Sequence, residues 1–361
     1  MKAMIMAAGV GSRLEPLTFN RPKPMVPVMN RPAMEHIIKL LAKYGITEIA
    51  ANLWYLPEKI TDYFQEGAEF GVSLYYSREK DLMGTAGGVK KLESFLDETF
   101  VIVSGDAVTD IDLASLVRTH REKKALATIA LRPVEDPRHF GVVVTDQTGK
   151  IKAFQEKPQP GEELSKLANT GIYIFEPEIF RYIPAGEVYD FGKQVFPCLV
   201  QADLPFYGHV MDEYWCDIGT LDQYRIGHYD ILQGRVGLDI PGDWHQGGLY
   251  IGEGTQIAPT AGIGEKVVIG ANCRIGNNVE ILGETVIGDG CYIGDNVKIC
   301  ASIIWDKTRI EKGVRLVECI IGSECQIKSS ANIGARVVFG DQVIAEAGQT
   351  IATGTKTPVR E

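Results

Sequence analysis

Apolar runs and amphipathic segments alternate along the first part of the chain, up to about residue 220. The runs at 3–7, 49–53 and 100–103 have the length and composition of buried strands. The segment 33–44 carries apolar residues at helical spacing and is followed by Gly45, a common helix terminator. The same order continues with a strand at 72–76 and helices at 60–64 and 86–95. This alternation predicts a largely parallel sheet covered by helices, with ligands at the carboxyl ends of its strands.

After residue 127 the helices give way to strand-like runs joined by short links. These runs lie at 128–132, 141–145, 151–155 and 171–175. Short links are compatible with antiparallel pairing, so we expect strands added antiparallel to the first sheet, building the acceptor side of a cleft. The segment 221–233 has the pattern of a linker helix.

From Leu249 onward an apolar residue recurs every six positions, with a small or branched residue four positions after it. The period stumbles near Trp305 and then resumes. A strict hexapeptide repeat predicts a parallel β-helix in which each repeat supplies one strand and turns both residues inward. Cys273 and Cys291 occupy the small position one coil apart, so we interpret them as core side chains rather than metal ligands.

The change of period divides the 361 residues into four expected regions. We expect an α/β domain at 1–235, a linker at 236–248, the β-helix at 249–345 and a C-terminal tail at 346–361. A chain of this length is too long for one ordinary core, which agrees with two domains.

Composition narrows the class of partner. A net charge of −10 argues against bulk nucleic-acid binding. No apolar run approaches the roughly 20 residues of a membrane span. Seven cysteines without a CxxC pair predict reduced thiols and a cytoplasmic protein. Anionic ligands would need a local basic patch, and the first 31 residues provide one: Lys2, Arg13, Arg21, Lys23 and Arg31 against Glu15 alone.

That basic patch surrounds a run of small residues. The first strand leads through Ala7 into Ala8-Gly9-Val10-Gly11-Ser12, which Arg13 follows. Lys23 lies between two prolines that stiffen the backbone presenting its ammonium. Converging backbone N–H groups, an arginine fork and this lysine predict a clamp for a polyphosphate. The two glycines alone are as typical of a tight strand-to-helix turn with a surface arginine.

Two further places suit a nucleotide. The run Gly84-Thr85-Ala86-Gly87-Gly88 is either a helix start capped by Thr85 or a site where backbone approaches a flat base. Asp106 ends a strand within Ser104-Gly105-Asp106, and its carboxylate suits either a turn or a Mg²⁺ ion. For the nearby Asp110 and Asp112 we expect surface or capping roles.

The stretch from Ala8 to Pro27 resembles the signature GGxGTRLxPLTxxxPKPxxP of the sugar-nucleotide pyrophosphorylases, a nucleotidyltransferase family. Ala8 and Ser12 replace a glycine and a threonine of that signature, and Glu15 stands where arginine is frequent. Further matches are to the family's GTAG, GD, YGVV, EKP, NxG and WxDIGT motifs, here at 84–87, 105–106, 140–143, 156–158, 169–171 and 215–220. The resemblance covers essentially the whole chain and is closest to the mannose-1-phosphate guanylyltransferase group.

The resemblance implies a Rossmann-like nucleotidyltransferase domain with a mixed, largely parallel sheet, followed by a left-handed parallel β-helix of hexapeptide repeats. It implies nucleotide binding by Ala7, Ala8, Gly9, Gly11, Ser12, Arg13, Lys23, Gly84, Thr85 and Ala86. It implies sugar-phosphate binding by Gly141, Glu156, Lys157 and Asn169. By the same resemblance Asp106 and Asp217 hold Mg²⁺, and Arg13, Lys23 and Asp106 are the catalytic residues.

The implied activity joins a nucleoside triphosphate to a sugar 1-phosphate and releases pyrophosphate, with no covalent enzyme intermediate. GTP with mannose 1-phosphate is the expected pair, and glucose 1-phosphate with UTP, dTTP or ATP stays open. We expect no nucleic-acid or membrane partner. The flat faces of a β-helix suit subunit packing, so we expect a homo-oligomer.

Two other classes of function compete with this reading. A degenerate, inactive transferase could serve as a regulatory subunit, although the intact Arg13, Lys23, Asp106, Lys157 and Asp217 count against it. Many hexapeptide-repeat proteins are acyltransferases with a histidine base. All six histidines lie at or before His245, so this β-helix cannot supply one from its repeats.

Overall fold

The computed structural model describes residues 1–358 and divides the chain into two compact units. The first unit consists of Met1–Gly9 and Met34–Asp217. The second consists of Val10–Ala33 together with the chain from Ile218 onward. The loop that carries the family signature therefore groups with the C-terminal part of the chain, a grouping that the expected division at residue 235 did not include.

The elements before residue 218 follow the predicted alternation. The strands are β1 (Lys2–Met6), β2 (Pro27–Val28), β3 (Arg31–Pro32), β4 (Glu48–Leu53), β5 (Ser73–Arg78), β6 (Phe100–Ser104), β7 (Ala107–Thr109), β8 (Ala127–Pro133), β9 (Gly141–Thr145), β10 (Ile151–Glu156), β11 (Leu167–Phe175), β12 (Phe206–Val210) and β13 (Trp215–Asp217). The α-helices of the chain are α1 (Ala33–Lys43), α2 (Pro57–Phe64), α3 (Gly84–Lys90), α4 (Leu113–Glu122), α5 (Phe196–Gln201) and α6 (Leu221–Leu232). Short 3₁₀ or π turns lie at Ser12–Leu14, Lys23–Met25, Ala68–Phe70, Pro137–His139, Pro177–Tyr182 and Phe191–Val195.

The first unit is built on a nine-stranded mixed sheet. Its main path runs β10-β9-β11-β6-β1-β4-β5, and β8 pairs with both β11 and β12. Strands β6, β1, β4 and β5 are parallel neighbours, whereas β11 runs antiparallel to β6 and β8. The prediction of a parallel sheet with later antiparallel additions is confirmed.

Strand β1 lies in the middle of that sheet because its apolar residues are covered on both faces. Ala3, Met4 and Ile5 are fully buried. Aromatic side chains fill the core on the side of β6 and β11, where Phe175 and Phe191 stack at 5.1 Å between ring centres. Replacing one such phenylalanine by alanine typically costs about 3–5 kcal/mol. A rigid sheet of this kind fixes the strand ends that carry the candidate site.

The strands from residue 243 onward form a parallel β-helix. They are β14 (Asp243–His245), β15 (Leu249–Ile251), β16 (Gln256–Ile257), β17 (Gly262–Ile263), β18 (Val267–Ile269), β19 (Arg274–Ile275), β20 (Glu280–Leu282), β21 (Thr285–Ile287), β22 (Tyr292–Ile293), β23 (Lys298–Cys300), β24 (Ile303–Ile304), β25 (Arg309–Ile310), β26 (Arg315–Val317), β27 (Ile320–Ile321), β28 (Gln326–Ile327), β29 (Asn332–Ile333), β30 (Val338–Phe339), β31 (Ile344–Ala345), β32 (Thr350–Ile351) and β33 (Lys356–Thr357). Strands β15 to β33 pair in parallel with the strand one coil away, which confirms the repeat prediction.

The register explains the stumble in the repeat. Ile269 pairs with Ile287, 18 residues on, whereas Ile287 pairs with Ile304, 17 residues on. The repeat between Ile299 and Ile304 is therefore one residue short. Cys273 and Cys291 are buried in the apolar core of the β-helix, as expected.

Both ends of the β-helix differ from the expected division. Strand β14 falls inside the expected linker and pairs antiparallel with β15. Strands β32 and β33 fall inside the expected tail and pair with β29 and β30. The expectation of a tail from residue 346 is therefore corrected, although 359–361 lie outside the described residues. Polar residues such as Thr350 and Lys356 flank the last coils, so the apolar period fades before the strands end.

Candidate active site

The turn after β1 is held from below by a buried side chain. Ala7 and Ala8 are buried and Gly9 is exposed at the carboxyl end of the strand. The Ala7 amide donates a hydrogen bond to Asn52 Oδ1 at 2.9 Å. Asn52 lies near the carboxyl end of β4, directly beside Met6 in the sheet. The predicted nucleotide loop thus begins at a strand edge with its first amide already engaged.

Asn52 continues into a second buried contact. Its Nδ2 donates to Glu79 Oε1 at 2.8 Å, and Glu79 Oε2 accepts from the Met83 amide at 3.0 Å. Asn52 and Glu79 are only 4% and 8% exposed, which makes the loss of either partner costly. This Asn52–Glu79 network joins the turn after β1 to the start of α3. Sequence reasoning missed both residues, although each is a polar residue at or just after the end of a predicted strand.

The run Gly84-Thr85-Ala86 opens α3 and is held by one backbone segment. Tyr189 O accepts from the amides of Ala86 and Gly87 at 2.8 and 2.9 Å. Asp190 Oδ1 accepts from the Thr85 amide at 3.1 Å. The Thr85 hydroxyl accepts from the Phe191 amide at 2.9 Å and is therefore occupied within the protein. Sequence reasoning did not identify this bracing segment, 189–191.

The two candidate metal ligands lie on paired strands. Strand β7 pairs antiparallel with β13, and Asp217 lies opposite Ala107. Asp106 immediately precedes Ala107, so the two aspartate Cα atoms lie roughly 6–7 Å apart by ordinary ladder geometry. Asp106 is 8% exposed, and Ser104 Oγ donates to its Oδ1. The distance in sequence between the two acids is therefore closed by a two-stranded ladder.

The neighbouring acids have the structural roles that we expected. Asp112 caps α4, accepting from the Ala114 and Ser115 amides at 3.0 and 3.2 Å. Asp110 accepts from the Tyr214 amide at 2.9 Å. Both contacts fix the chain around β7 and β13.

Asn169 lies next to the Asp106 end of β6. Its Oδ1 accepts from the Gly171 amide at 3.0 Å, within an irregularity of the β11–β8 pairing. A Cβ placed on Gly171 would lie 3.2 Å from Ser104 Cβ. The NxG segment thus packs against the residue that bonds Asp106.

Gly141 and Glu156 face each other across the β9–β10 pair. A Cβ on Gly141 would lie 3.0 Å from Glu156 Oε2, and one on Gly192 would lie 2.4 Å from the same oxygen. The carboxylate therefore occupies a slot between two glycines. Its partial burial raises the pKa of Glu156, an effect that the nearby Lys157 opposes. The Lys157 side chain is 62% exposed, with its ammonium 3.9 Å from Glu156.

An unpaired indole lies near the same strands. The Trp215 ring packs edge-on against Phe140 at 5.1 Å, and Trp215 is two residues from Asp217 on β13. Within residues 1–358 its buried Nε1 finds no hydrogen-bond acceptor. The contact places β13 beside the YGVV motif. Trp215 is thus a buried donor next to the candidate site, and sequence reasoning assigned it no role.

The signature loop is described within the second unit. Gly11 has a φ of +77°, and a Cβ there would lie 2.9 Å from Lys23 Cβ. Thr18 Oγ1 donates to Gly11 O at 2.9 Å. Ser12 and Arg13 are exposed on the short turn that follows. Lys23 is thereby packed against the glycine turn ten residues before it, as a clamp requires.

The residues present fit a hard divalent cation. Within the described part of the chain no group of three or more histidine, cysteine or acidic side chains could enclose a metal ion. Asp106 and Asp217 would supply two carboxylate oxygens, leaving the other positions to water and phosphate. This is the usual arrangement for Mg²⁺ at a phosphate site.

The structure thus brings together most of the predicted residues of the first unit. Direct contacts or strand pairing link Asp106 with Asp217, Asn169 with Ser104, and Gly141 with Glu156. Arg13 and Lys23 belong to the other unit. No helix within residues 1–358 is long and apolar enough to span a membrane.

Comparison with known proteins gives two family matches. The family model for nucleotidyl transferases matches residues 2–234, and the model for the EIF2B subunit epsilon LbH domain matches residues 246–351. The second match agrees with the expected left-handed β-helix.

Individual relatives cover most of the chain. A UTP–glucose-1-phosphate uridylyltransferase of Synechocystis sp. is 41% identical over 96% of this chain and 94% of its own length. A mannose-1-phosphate guanylyltransferase of Mycobacterium tuberculosis is 31% identical over 86% of this chain and 81% of its own. A solved structure of a Bacillus anthracis protein named as a glucose-1-phosphate thymidylyltransferase is 29% identical, with a TM-score of 0.57, over 63% of this chain and 93% of that one.

Proposed function

Because this chain belongs to the nucleotidyl transferase family, we propose that it transfers a nucleotidyl group from a nucleoside triphosphate to a sugar 1-phosphate. The observation that supports this best is the β7–β13 ladder, which joins Asp106 to Asp217 at the end of the sheet. Two carboxylates at a strand edge, next to a glycine-rich turn after β1, suit a substrate made of phosphates.

The proposed reaction is an in-line displacement. An oxygen of the sugar phosphate attacks the α-phosphorus, a new P–O bond forms, and the bond to the β-phosphate breaks so that pyrophosphate leaves. No side chain forms a covalent bond, so catalysis is positioning and charge stabilisation. Arg13 and Lys23 hold the triphosphate, Lys157 holds the sugar phosphate, and Glu156 and Asn169 orient the sugar.

Asp106 and Asp217 would be the protein ligands of Mg²⁺. A bound Mg²⁺ would bridge phosphate oxygens and offset the negative charge on the group under attack. Ser104 orients the Asp106 carboxylate, and the backbone at Gly84 to Ala86 lies against the base. The Asn52–Glu79 network holds those two nucleotide-binding turns at a fixed spacing.

For the substrate pair we propose glucose 1-phosphate with UTP. The uridylyltransferase relative is 41% identical over nearly the whole of both chains, whereas the mannose-1-phosphate guanylyltransferases are about ten points lower. GTP with mannose 1-phosphate, the pair expected from sequence, is the second candidate because those guanylyltransferases also align over 86–97% of this chain. The homo-oligomer and the cytoplasmic location stay predictions.

A substrate matrix tests this proposal. GTP, UTP, dTTP, ATP and CTP are each mixed with mannose, glucose or N-acetylglucosamine 1-phosphate and Mg²⁺, and pyrophosphate release is measured. We expect one pair, glucose 1-phosphate with UTP, to exceed the others in kcat/KM by tenfold or more, about 1.4 kcal/mol of discrimination. Pyrophosphate release from no pair would favour the inactive-subunit alternative.

The slot around Glu156 gives a prediction for the sugar side. Gly192→Ala places a methyl group where Glu156 Oε2 now lies, so the carboxylate must move. We expect the KM for the sugar 1-phosphate to rise about tenfold, as for the loss of one hydrogen bond to a charged group. The KM for the triphosphate should stay within about twofold, because uniform loss of binding raises only the KM of the affected ligand. Equal changes in both constants would argue against a sugar-specific role.

A further inference from the structure

The loop Val10–Ala33, which carries Arg13 and Lys23, packs against the β-helix within the second unit. Asn30 Nδ2 donates to Ile287 O at 2.8 Å. A Cβ on Gly340 would lie 3.0 Å from Pro16 O, so the backbone of a late coil closely approaches the loop. The β-helix therefore contacts the signature loop at points spread along its length.

Arg21 makes the most extensive of these contacts. Its Nη2 donates to Ser323 Oγ at 3.1 Å and lies 3.9 Å from Asp341 Oδ2. Its guanidinium lies 4.9 Å from the ring of Trp305, at cation–π distance. The Arg21 side chain is 23% exposed, and its buried Nε has no acceptor among the described residues. These groups come from three successive coils, and Arg21 joins them to a loop some 300 residues earlier in the chain.

The surface that receives Arg21 is itself fixed. Ser323 Oγ donates to Asp306 Oδ1 at 2.6 Å. The Ser323 amide donates to Asp341 Oδ1 at 2.9 Å. The hydroxyl and both carboxylates are therefore oriented by bonds between coils before the arginine is considered. A preorganised acceptor set of this kind makes a charged hydrogen bond stronger and more specific in direction.

Trp305 also reaches the far end of the loop. Its Nε1 donates to the Tyr224 hydroxyl at 2.9 Å, and that hydroxyl donates to Pro27 O at 2.5 Å. Trp305 and Tyr224 are both buried in the second unit. One indole ring thus packs under Arg21 and, through Tyr224, holds Pro27. The loop is tied on both sides of Lys23.

The path from Arg21 to the phosphate-binding groups is short and stiff. Pro22 separates Arg21 from Lys23 and has a φ of −70°. The Lys23 stem packs on Gly11, whose carbonyl accepts from Thr18. A proline-framed segment transmits a displacement rather than absorbing it. A shift of Arg21 therefore moves Lys23 and the glycine turn with it.

We propose that Arg21 is a positioning residue that couples the β-helix to the triphosphate-binding loop. Arg21 binds the coils around Ser323 and Asp341 and sets the place of Lys23 without touching substrate. The β-helix is then part of the device that shapes the phosphate site as well as a surface for assembly. This inference rests on the proposed function for its kinetic arm.

Kinetics of Arg21→Met test the coupling. The variant keeps a long apolar stem over Trp305 and loses the charged bonds to the β-helix. We expect the KM for the triphosphate to rise about tenfold or more and kcat to fall several-fold, with the KM for the sugar 1-phosphate within about twofold. Arg21→Lys, which keeps the charge but not the fork, should recover part of the loss.

The chain offers a matched control in Arg309. Its guanidinium lies 4.0 Å from the ring of Tyr292 on another strand of the β-helix, and its side chain is half exposed. Arg309→Met removes the same kind of cation–π contact away from the loop. We expect its kinetic constants to stay within about twofold of the wild type, since exposed contacts contribute little.

Hydrogen exchange of the full chain gives a readout that does not depend on turnover. In Arg21→Met we expect amides in 11–26 to exchange at least about tenfold faster, while those of 84–88 stay at the wild-type rate. Faster exchange throughout the chain, or a lowered Tm with unchanged KM values, would mean that Arg21 is only structural and would overturn the coupling. A wild type that releases no pyrophosphate would instead defeat the proposed function, and the exchange result would still decide the role of Arg21.

Discussion

Asp106→Asn is expected to lower kcat by roughly 10²–10³-fold at saturating Mg²⁺, the usual cost of losing one transition-state charge contact. The substitution keeps the size of the side chain and removes its negative charge, so a metal ligand is weakened while the fold is kept. Raising Mg²⁺ should restore part of the rate. The measurement is a steady-state rate at several Mg²⁺ concentrations with both substrates saturating.

Asp112→Asn is the matched control for that change. Asp112 lies six residues further on and caps α4 through the Ala114 and Ser115 amides. Asparagine caps a helix about as well as aspartate, so neither stability nor rate should change by more than about twofold. An Asp106→Asn enzyme with the activity of Asp112→Asn would refute the metal assignment.

Asp217→Asn should behave like Asp106→Asn, because both carboxylates are proposed to hold the same ion. The double variant should then be only slightly slower than either single variant, since residues that act as a unit are strongly non-additive. Two independent losses that multiply would place the acids in separate sites.

Gly84→Ala is expected to reduce kcat/KM by about a hundredfold or more and to destabilise the first unit by about 2 kcal/mol. Gly84 has a φ of +72°, and a Cβ there would lie 2.6 Å from Tyr189 O. That carbonyl is the acceptor that holds the Ala86 and Gly87 amides, so it cannot retreat without releasing the start of α3. Kinetics and thermal unfolding of the same preparation measure both effects.

Gly186→Ala separates backbone strain from close approach. Gly186 has a φ of +77°, but a Cβ there would meet no atom within 4 Å. We expect only the strain of a left-handed alanine, about 1 kcal/mol, and a rate near the wild type. If Gly84→Ala is as mild as this control, the turn at Gly84 is not a tight contact point of the site.

The sequence predicted the elements whose cause is local. The buried run at β1 and the six-residue period of the β-helix both follow from the spacing of apolar side chains, and both are confirmed. The one-residue deletion before Ile304 was visible as a stumble because every other repeat kept its length. The last two coils escaped notice because polar residues there weaken the same signal.

The residues that brace the candidate site could not be predicted in this way. Asn52 and Glu79 lie 27 residues apart and meet only because two parallel strands end side by side. Tyr189 and Asp190 reach the start of α3 across about 100 residues of chain. Such contacts leave no periodic trace in one sequence, since their partners are chosen by the assembled sheet.

The grouping of the signature loop with the β-helix is the largest such case. Arg21 looks like one more cation of a basic patch until Ser323 and Asp341 are found around it. The motif match assigned the loop to the first domain, whereas its side chains make many of their bonds to the repeats. A prediction from motifs alone therefore attributes to the first domain a loop that the second unit holds.

The central claim is nucleotidyl transfer, and a labelled α-phosphate tests it most directly. A triphosphate labelled at that phosphorus is incubated with its sugar 1-phosphate and Mg²⁺, starting with UTP and glucose 1-phosphate. The account predicts one labelled sugar nucleotide for each pyrophosphate released, and none with Asp106→Asn over the same time. Label that stays in the triphosphate for every pair, or that leaves as nucleoside monophosphate, would contradict it.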